Sequence, residues 1–339
     1  MSSDDEIAIR LVVPEEASLL IALIRRCYGE TYIDPSFYRE TQVRGLLESG
    51  RLQSIGAFTE GLRLVGHMGI TLRAHGGMTA DAGMTLVDPA YRGRGIARRV
   101  AFGLAERSIE LGLVGVHDYP VTVHAATQLI GAGVGVDMGL MLANMPDDVV
   151  FREMQTPSSG RRTSSLIRWL PFGPAPQRSV FLPERYRKEI ELLYAKARLS
   201  RTILTPGTSS AERESTLAAT YDDRRQTLRV AVVRSGNDLA SRIEAERRRA
   251  AESGGLVAHV DLPLGDSGTS TATQTLCSLG FFFAGLLPEY RDGDVLRLQW
   301  LAPSADCAGS PILTTDSTRA IESFVLNERL STRAEGRTT

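Results

Sequence analysis

The chain has 339 residues, which is enough for two domains of ordinary size. It is 42% hydrophobic and 23% charged with a formal net charge of −1, a composition that gives no reason to expect nucleic acid or a membrane as a partner. Residues 1–6 lack the basic and apolar regions of a signal peptide, and no run of about 18 apolar residues could span a bilayer. We therefore expect a cytoplasmic protein.

The three cysteines are Cys27, Cys277 and Cys307, which lie far apart and form no CxxC pair. This spacing argues against a disulfide framework and against a zinc site. We expect free, buried thiols and no bound metal.

Hydrophobic periodicity predicts a mixed α/β first half. A helix starts at Pro14, because proline suits the first helical turn and the following glutamates favour the positive end of the helix dipole. The remaining predicted elements, in chain order, are strands at 7–13, 52–58, 62–71, 82–87, 113–116, 136–143 and 163–169, and helices at 37–48, 95–110 and 123–132.

A dense run of proline and glycine at 171–176 predicts a domain boundary, since neither a helix nor a central strand tolerates it. We assign domains to residues 1–172 and 183–329, a linker to 173–182 and a disordered tail to 330–339. For the second domain the pattern predicts helices at 183–199, 238–253 and 269–279, and strands at 202–204, 228–233, 256–262, 281–287 and 295–301.

A weak internal repeat links the two halves. The triplet Ala-Thr-Gln at 126–128 precedes Gly139 by thirteen residues, counted from Ala126, and the same triplet at 272–274 precedes Gly285 by the same interval. In both copies a short helix leads into an apolar strand, which favours duplication.

One loop combines glycines and arginines between a strand and an amphipathic helix. Glycines let the backbone approach a bulky anion, and a helix N-terminus presents unpaired N–H groups and a partial positive charge, so a pyrophosphate is a natural ligand. No Gly-Lys-Ser/Thr follows, which excludes a Walker loop, and the spacing fits a dinucleotide fingerprint poorly. A plain glycine turn with incidental arginines is the alternative. The loop residues are Arg92, Gly93, Arg94, Gly95, Ile96 and Ala97.

Residues 87–97, Val-Asp-Pro-Ala-Tyr-Arg-Gly-Arg-Gly-Ile-Ala, resemble motif A of the GNAT (GCN5-related N-acetyltransferase) superfamily, with matches at Arg92, Gly95 and Ala97. The resemblance implies a GNAT domain with a mixed sheet that splays between the strands at 82–87 and 113–116. It implies acetyl-CoA, or another acyl-CoA, as co-substrate, with backbone amides near Leu86 and Val87 contacting the thioester arm. The second half resembles, more weakly, a smaller and degenerate GNAT-like domain.

The mechanism implied by the resemblance is direct attack of a substrate amine on the thioester. Many relatives carry a tyrosine as acid in the helix after the fifth strand, but Gly131 stands at that place, and the strand at 82–87 contains no glutamate as base. The remaining candidates for acid or base are His117, Asp118, Tyr119 and, as the first choice, His124. His67 fits a hydrogen-bonded sheet histidine better than a catalytic one.

Substrate contacts in such a fold come from the first two helices and their loop. Here Tyr28 and Tyr32 could form aromatic walls and Glu30 could hold a cationic amine. In the second domain, the segment 261–266 is either a simple turn or a cover over the site, and 290–294 is a hairpin turn.

The leading hypothesis is an N-acyltransferase, most simply an N-acetyltransferase, for the amine of a small metabolite or amino-acid-like substrate in specialised (secondary) metabolism. A non-catalytic acyl-CoA-binding or regulatory module is the alternative from another class, because the tyrosine and glutamate are missing. An aminoacyl-tRNA-dependent transferase is a third hypothesis, which the near-neutral charge disfavours. Homo-oligomerisation stays open.

Overall fold

The computed structural model describes residues 6–73, 77–154, 161–205, 214–305 and 311–335. Among these residues the first half of the chain folds into seven strands and four helices. In chain order they are β1 (Ala8–Leu11), α1 (Ala17–Tyr28), α2 (Glu40–Glu48), β2 (Leu52–Phe58), β3 (Leu64–Thr71), β4 (Thr79–Val87), α3 (Ile96–Glu110), β5 (Gly115–Asp118), α4 (Ala126–Ile130), β6 (Val136–Met145) and β7 (Thr163–Pro171).

The second half, again among the described residues, adds seven strands and four helices. They are β8 (Arg178–Val180), α5 (Arg187–Ala197), β9 (Arg201–Ile203), β10 (Thr216–Asp222), β11 (Thr227–Arg234), α6 (Leu239–Glu252), β12 (Val257–Pro263), α7 (Thr269–Ser278), β13 (Phe282–Arg291), β14 (Gly293–Leu301) and α8 (Asp316–Glu335).

Twelve of the strands form one continuous sheet in the order β1-β2-β3-β4-β5-β7-β6-β13-β14-β12-β11-β10, while β8 and β9 pair separately. Within this sheet β4–β5 and β11–β12 are the parallel pairs, and a helix connects the strands of each pair. The predicted α/β fold with a mixed sheet is confirmed, whereas the continuous twelve-stranded sheet was not predicted. The predicted hairpins at 52–71 and 290–294 are also confirmed.

The second half repeats the strand order of the first half around the centre of the sheet. The β6–β7 ladder and the β13–β14 ladder share one irregularity, a register shift before Gly139 in the first and a register shift that ends at Gly285 in the second. The two glycines of the sequence repeat face each other, because β6 and β13 pair at Gly139 and Gly285. A Cβ on Gly139 would lie 2.1 Å from the carbonyl oxygen of Ala284, so this close approach requires glycine.

Three apolar clusters hold the helices to the sheet. One lies under α1 and α2, and a second lies on the other face under α3. The third joins β6 and β7 to the whole second half, with Trp169 and Phe283 among its buried rings. Cys27 and Cys277 are free and buried, as predicted, whereas Cys307 lies outside the described residues.

The structure differs from the sequence prediction at the C-terminus. A disordered tail was predicted from Leu330, but α8 continues to Glu335, and residues 336–339 lie outside the described part. Arg185 holds this helix by ion pairs to Glu328 (2.7 Å) and Glu335 (3.0 Å). Thr332 is fully buried. The sequence prediction also missed strand β10.

Candidate active site

The sheet opens between β4 and β5, where the splay was predicted. Their parallel ladder runs only from Thr79 and Gly115 to Ala82 and Asp118, whereas β4 continues to Val87. The last five residues of β4 therefore have no β5 partner, and the two strands part around a gap in the middle of the sheet.

The backbone of β4 presents one of its predicted amides to this gap. Asp88 donates its N–H to the carbonyl of Val65 on β3 (2.9 Å), and Val87 is opposite Gly66 in the same antiparallel ladder. Because hydrogen-bonded and non-hydrogen-bonded pairs alternate in such a ladder, the N–H of Val87 points away from β3, toward the gap. The same alternation directs the N–H of Leu86 toward β3.

A buried histidine fixes the irregular part of β4. His67 contacts the carbonyl oxygen of Met84 through Nδ1 (2.9 Å) and the hydroxyl of Ser54 through Nε2 (2.9 Å). Met84 has a left-handed φ of 54° beside a register shift in the ladder. Burial lowers the pKa of His67 to about 4, so the ring is neutral at pH 7. The prediction of a hydrogen-bonded sheet histidine is confirmed.

The glycine-arginine loop has the backbone that its sequence predicted. Gly93 and Gly95 have φ values of 78° and 73°, which favour glycine, and α3 begins at Ile96. No side chain caps this helix start, and Arg99 N–H donates to Gly95 O at 3.2 Å, the first turn of the helix. The amides before it therefore form the open N-terminus of a fifteen-residue helix, a suitable site for a diphosphate.

The four arginines around the loop have different surroundings. Arg92 borders the cavity beside the loop and donates to the carbonyl of Arg152 (2.8 Å). Arg94 lies over the Tyr91 ring and Arg98 over the Phe102 ring. Arg99 binds the carbonyl of Ile7. Arg92 is therefore the side chain best placed to meet an anion at the loop.

Two cavities meet at the gap. The loop cavity, about 280 Å³, runs along 85–97 beside the helix start, and the sheet cavity, about 380 Å³, continues under the centre of the sheet. The two cavities are adjacent, because the same six residues border both of them. These shared residues are Tyr28, Thr85, His124, Thr127, Ile130 and Phe151.

His124 is the predicted acid or base that lies at this junction. Its Nδ1 is buried and has no hydrogen-bond partner among the described residues, and its ring meets Phe151 edge-on at 4.9 Å. Burial, and to a smaller extent the Arg92 guanidinium, lowers the pKa of His124 below its ordinary 6.5. A neutral imidazole with a free nitrogen can accept a proton at neutral pH.

Thr127 lies at the same junction and was missed by the sequence analysis. Its Oγ1 is buried and lacks a hydrogen-bond partner among the described residues. The threonine in the second copy of the repeat, Thr273, donates to the carbonyl of Thr269 (2.8 Å), as a helical threonine commonly does. The repeat itself was the available signal, since it placed Thr127 in a short helix beside His124.

The other three acid or base candidates have structural partners. His117 is fully buried between the rings of Trp169 and Tyr290 and borders neither cavity, because β5 is still paired on both sides at this position. Asp118 borders the sheet cavity but forms a buried two-pronged ion pair with Arg168, at 2.9 and 2.5 Å. The placement of His117 beside the gap was therefore wrong.

Tyr119 also borders the sheet cavity, and its hydroxyl donates to Asp81 Oδ1 (3.0 Å). Burial raises the pKa of Tyr119 well above 10, so the phenol stays protonated at neutral pH. Its bond to Asp81 indicates a wall residue with a fixed orientation.

Gly131 leaves no room for a tyrosine. A Cβ at Gly131 would lie 2.5 Å from the Arg168 guanidinium carbon, so the ion pair of Arg168 with Asp118 occupies this place. A tyrosine at this position would have to displace Arg168 from its ion pair with Asp118.

The predicted substrate residues are only partly in place. Tyr28 and Tyr32 border the sheet cavity and contact each other edge-on at 5.1 Å. Glu30 borders neither cavity and is instead paired with Arg25 on the surface (2.9 Å), because the loop turns its side chain outward. The placement of Glu30 as an amine-binding group was therefore wrong.

The second half supplies part of the sheet cavity, which the sequence did not predict. Arg225 and Arg229 approach from the β10–β11 hairpin, and Tyr290 and Arg297 approach from β13 and β14. The segment 261–266, considered as a cover, instead ends strand β12 and turns into α7. Among the described residues no helix is long and apolar enough to cross a membrane, and no group of three metal-binding side chains occurs.

Comparison with known proteins gives a family match for part of the chain. Residues 18–126, about a third of the sequence, match the acetyltransferase (GNAT) family. This span includes the glycine-arginine loop and His124, while Thr127 follows directly after it. No curated protein sequence matches.

Solved structures that resemble the chain cover about half of it. A spermidine N-acetyltransferase chimera from Vibrio cholerae and hSSAT is 14% identical, covers 50% of this chain and 96% of its own, and has a TM-score of 0.39. The ribosomal-protein-S18-alanine N-acetyltransferase of Escherichia coli is 14% identical over 50% and 97%, with a TM-score of 0.40. A GNAT-family N-acetyltransferase of Escherichia coli in complex with CoA is 18% identical over 50% and 85%, with a TM-score of 0.32. The family match over residues 18–126 supports the resemblance to the GNAT superfamily and an acetyltransferase activity.

Proposed function

We propose that the chain is an acyl-CoA-dependent N-acyltransferase, most simply an N-acetyltransferase, for the amine of a small metabolite or amino-acid-like substrate. The meeting of the loop cavity and the sheet cavity at His124 is the observation that carries this proposal. One cavity leads from an anion-binding helix start into the gap, and the other offers a separate chamber on the far side of the same histidine.

The co-substrate is held by the backbone of the loop and by β4. The open amides at 93–97 and Arg92 would bind its diphosphate, and the N–H of Val87 would contact the thioester arm in the gap. The left-handed φ values of Gly93 and Gly95 fit this role, since they turn successive N–H groups toward one anion.

The acetyl donor supplies an activated carbonyl carbon. At the junction, His124 accepts a proton and Thr127 donates a hydrogen bond. His124 Nδ1 takes the proton that the attacking amine loses as the new C–N bond forms. The sulfur leaves with the electrons of the C–S bond, and the Thr127 hydroxyl donates a hydrogen bond to it. Both atoms are buried and have no partner in the described part of the chain, so neither gives up a hydrogen bond seen there.

We further propose that the second half, 183–329, is a degenerate GNAT-like domain joined to the first domain, 1–172, by 173–182. The repeated strand order and the shared register around Gly139 and Gly285 support this. Its helix α6 has Asp238 as the N-cap residue and no counterpart of the glycine-arginine loop, so the coenzyme binds to the first domain alone.

A non-catalytic acyl-CoA-binding module is the second candidate, and it is favoured because Gly131 stands where many relatives carry the acid tyrosine. Thiol release from acetyl-CoA in the presence of amines separates the two functions. Amine-dependent release supports the transferase, whereas saturable CoA binding without transfer to any amine supports the binding module.

The coenzyme site itself is tested by calorimetry with CoA. We expect Arg92→Ala to weaken binding by about 10-fold, the effect of one lost hydrogen bond to a charged group. Arg98→Ala is the matched control, because Arg98 lies in the first turn of α3 but over the Phe102 ring, and it borders neither cavity. Equal affinity in both variants would argue against the loop as the diphosphate site.

A further inference from the structure

The second half brings two arginines into the sheet cavity without a matching set of acids. Arg229 lies in the middle of β11, between the buried residues Leu228 and Val230, and its own side chain is exposed. It faces the sheet cavity, which otherwise belongs mostly to the first half. Its side chain therefore places a positive charge at the wall of this cavity.

The neighbouring strands give Arg229 no acidic partner. Its cross-strand neighbours are Thr220 on β10 and His259 on β12, both without negative charge. Among the described residues Arg229 forms neither an ion pair nor a hydrogen bond. The corresponding position of the first half, third in the other parallel ladder, is Asp81, and it is paired with Arg73 (2.8 Å).

The other charges around the cavity are largely neutralised. Asp118 is paired with Arg168, and Arg297 is paired with Asp261 at 2.7 Å. Two more carboxylates border the cavity: Asp81, which is paired with Arg73 at 2.8 Å, and Asp34, which accepts a hydrogen bond from the backbone of Ser36 (2.9 Å).

Arg225 adds a second, incompletely satisfied cation beside Arg229. Its nearest acid is Asp222 at 3.7 Å, beyond hydrogen-bond range, and its buried Nε has no hydrogen-bond partner among the described residues. Burial, and then the Arg229 guanidinium, lowers the pKa of Arg225, and the Asp222 and Asp34 carboxylates offset this only in part. The two cations are therefore within electrostatic reach of each other.

We propose that this arginine pair, Arg225 and Arg229, binds an oxyanion of the acceptor, so that the acyl acceptor is an amine that also carries a carboxylate or a phosphate. The inference rests on the proposed transferase function and gives its acceptor a chemical class. Guanidinium groups match the planar, two-oxygen geometry of carboxylates and also bind phosphates. The second half thereby acts as a specificity domain for the site in the first half.

The rest of the cavity fits an apolar body on this acceptor. Tyr32, Phe37 and Met141 form part of the wall, and Phe151 lies at the junction with His124. Such an acceptor would place its amine at His124, its anion at the arginine pair and an apolar side chain between these walls. An apolar amino acid has all three groups.

The test compares acceptors that differ only in the anion. Phenylalanine is paired with phenethylamine, leucine with 3-methylbutylamine and phosphoethanolamine with ethanolamine, and thiol release from acetyl-CoA gives kcat/KM for each. We expect the anionic member of at least one pair to be preferred. Arg229→Ala should reduce that preference by about 10- to 100-fold, mostly through KM, as expected for loss of a hydrogen bond to a charged group.

Arg229→Glu should reverse the preference toward the amine without an anion, while Arg248→Ala, a change of an exposed arginine on α6, should leave it unchanged. A carboxylate preference and a phosphate preference both support the oxyanion site and identify its ligand. Equal use of both members of every pair, or an unchanged preference in Arg229→Ala, would overturn the inference while leaving the transferase in place.

If no amine releases thiol, the proposed function fails. Calorimetric titration of the paired compounds into the CoA-saturated protein then decides the oxyanion site independently. Preferential binding of an anionic member that is lost in Arg229→Ala supports it, and equal or absent binding of all members overturns it.

Discussion

Each half of the sheet contains an opening where one strand extends beyond its parallel partner, but the residues around the two openings differ. In the first half β4 extends five residues beyond its last β5 pair, and in the second half β11 extends three residues beyond its last β12 pair. A helix starts after each extended strand. The difference lies in what stands at the helix start.

At the start of α3 stands Gly95, left-handed and without a side chain, so the amides remain open. At the start of α6 stands Asp238, whose carboxylate accepts the N–H of Ser215 at 2.6 Å. A carboxylate at this position already supplies the negative charge that a helix N-terminus attracts. The comparison teaches that the residue at the helix start decides whether the amides stay open for the proposed anion or meet a carboxylate of the chain itself.

The same contrast extends to the residues after the second parallel strand. The repeat aligns His124 with Ser270 and Thr127 with Thr273. Thr273 uses its hydroxyl within its own helix, whereas the Thr127 hydroxyl is free of partners among the described residues. Side chains at the first opening are thus available for a ligand, and their counterparts serve the fold.

The largest effect is expected for Gly95→Asp, because it introduces at the start of α3 the carboxylate that Asp238 supplies at the start of α6. Gly95→Asp places a carboxylate where the diphosphate would bind, and like charges about 4 Å apart at a protein surface repel by about 4 kcal/mol, so CoA affinity should fall by about 1,000-fold. Calorimetry measures the loss. A Cβ at Gly95 meets no atom within 4 Å, and aspartate tolerates the left-handed backbone, so the variant should fold.

Gly95→Asn is the matched control, since it has the same shape without the charge and should retain most of the affinity. Equal CoA binding by the aspartate and asparagine variants would show that the helix start does not hold the diphosphate.

The next effect concerns the base. His124→Gln should lower kcat by about 100-fold while CoA affinity is kept, because a general base typically contributes at least that much. The pKa of His124 is lowered below 6.5, so wild-type activity should fall only as the pH drops through that lower value, where the ring becomes protonated. The variant should lose this acid limb from its profile of kcat/KM against pH.

Ser270→Ala, the same position in the second half, should change neither rate nor profile. An unaltered acid limb in His124→Gln would assign the proton acceptor to another group.

A smaller change in rate is expected at the neighbouring threonine. Thr127→Val should lower kcat by about 10-fold, the value of one hydrogen bond to a developing charge, with no loss of thermal stability since the hydroxyl has no partner among the described residues. Thr273→Val should show the opposite pattern, a stability loss of about 1 kcal/mol with full activity, because its hydroxyl donates to Thr269. The same outcome for both variants would remove Thr127 from the junction chemistry.

The parts of the site that were predictable are local in sequence. The loop could be predicted because glycine spacing, arginines and the helix after them all lie within one short stretch. His117 was misplaced because its strand stays paired with β4 through Asp118, and only the residues beyond that pair reach the gap. The two-residue periodicity of a strand does not show where its pairing with the neighbouring strand ends.

The contribution of the second half was not predictable from the pattern. Arg229 and Tyr290 reach the cavity through the pairing of β6 with β13 at Gly139 and Gly285, a contact across 146 positions of the repeat. The repeat indicated duplication, but a sequence does not state which edges of two similar units join. The last turn of α8 was also missed, because it is held by the ion pair of Glu335 with Arg185, which is far away in the sequence.

The smallest effect tests that last turn. A chain that ends at Arg329 loses the buried Thr332 and the ion pair of Glu335 with Arg185, and we expect its free energy of unfolding to fall by about 1 kcal/mol. Urea denaturation against a chain that ends at Glu335 measures the difference. CoA affinity should not change, because α8 packs on β6 and β13, where the two halves join, and borders no part of the loop cavity. Identical denaturation midpoints would mean that residues 330–335 add nothing to the fold, as the predicted disordered tail would require.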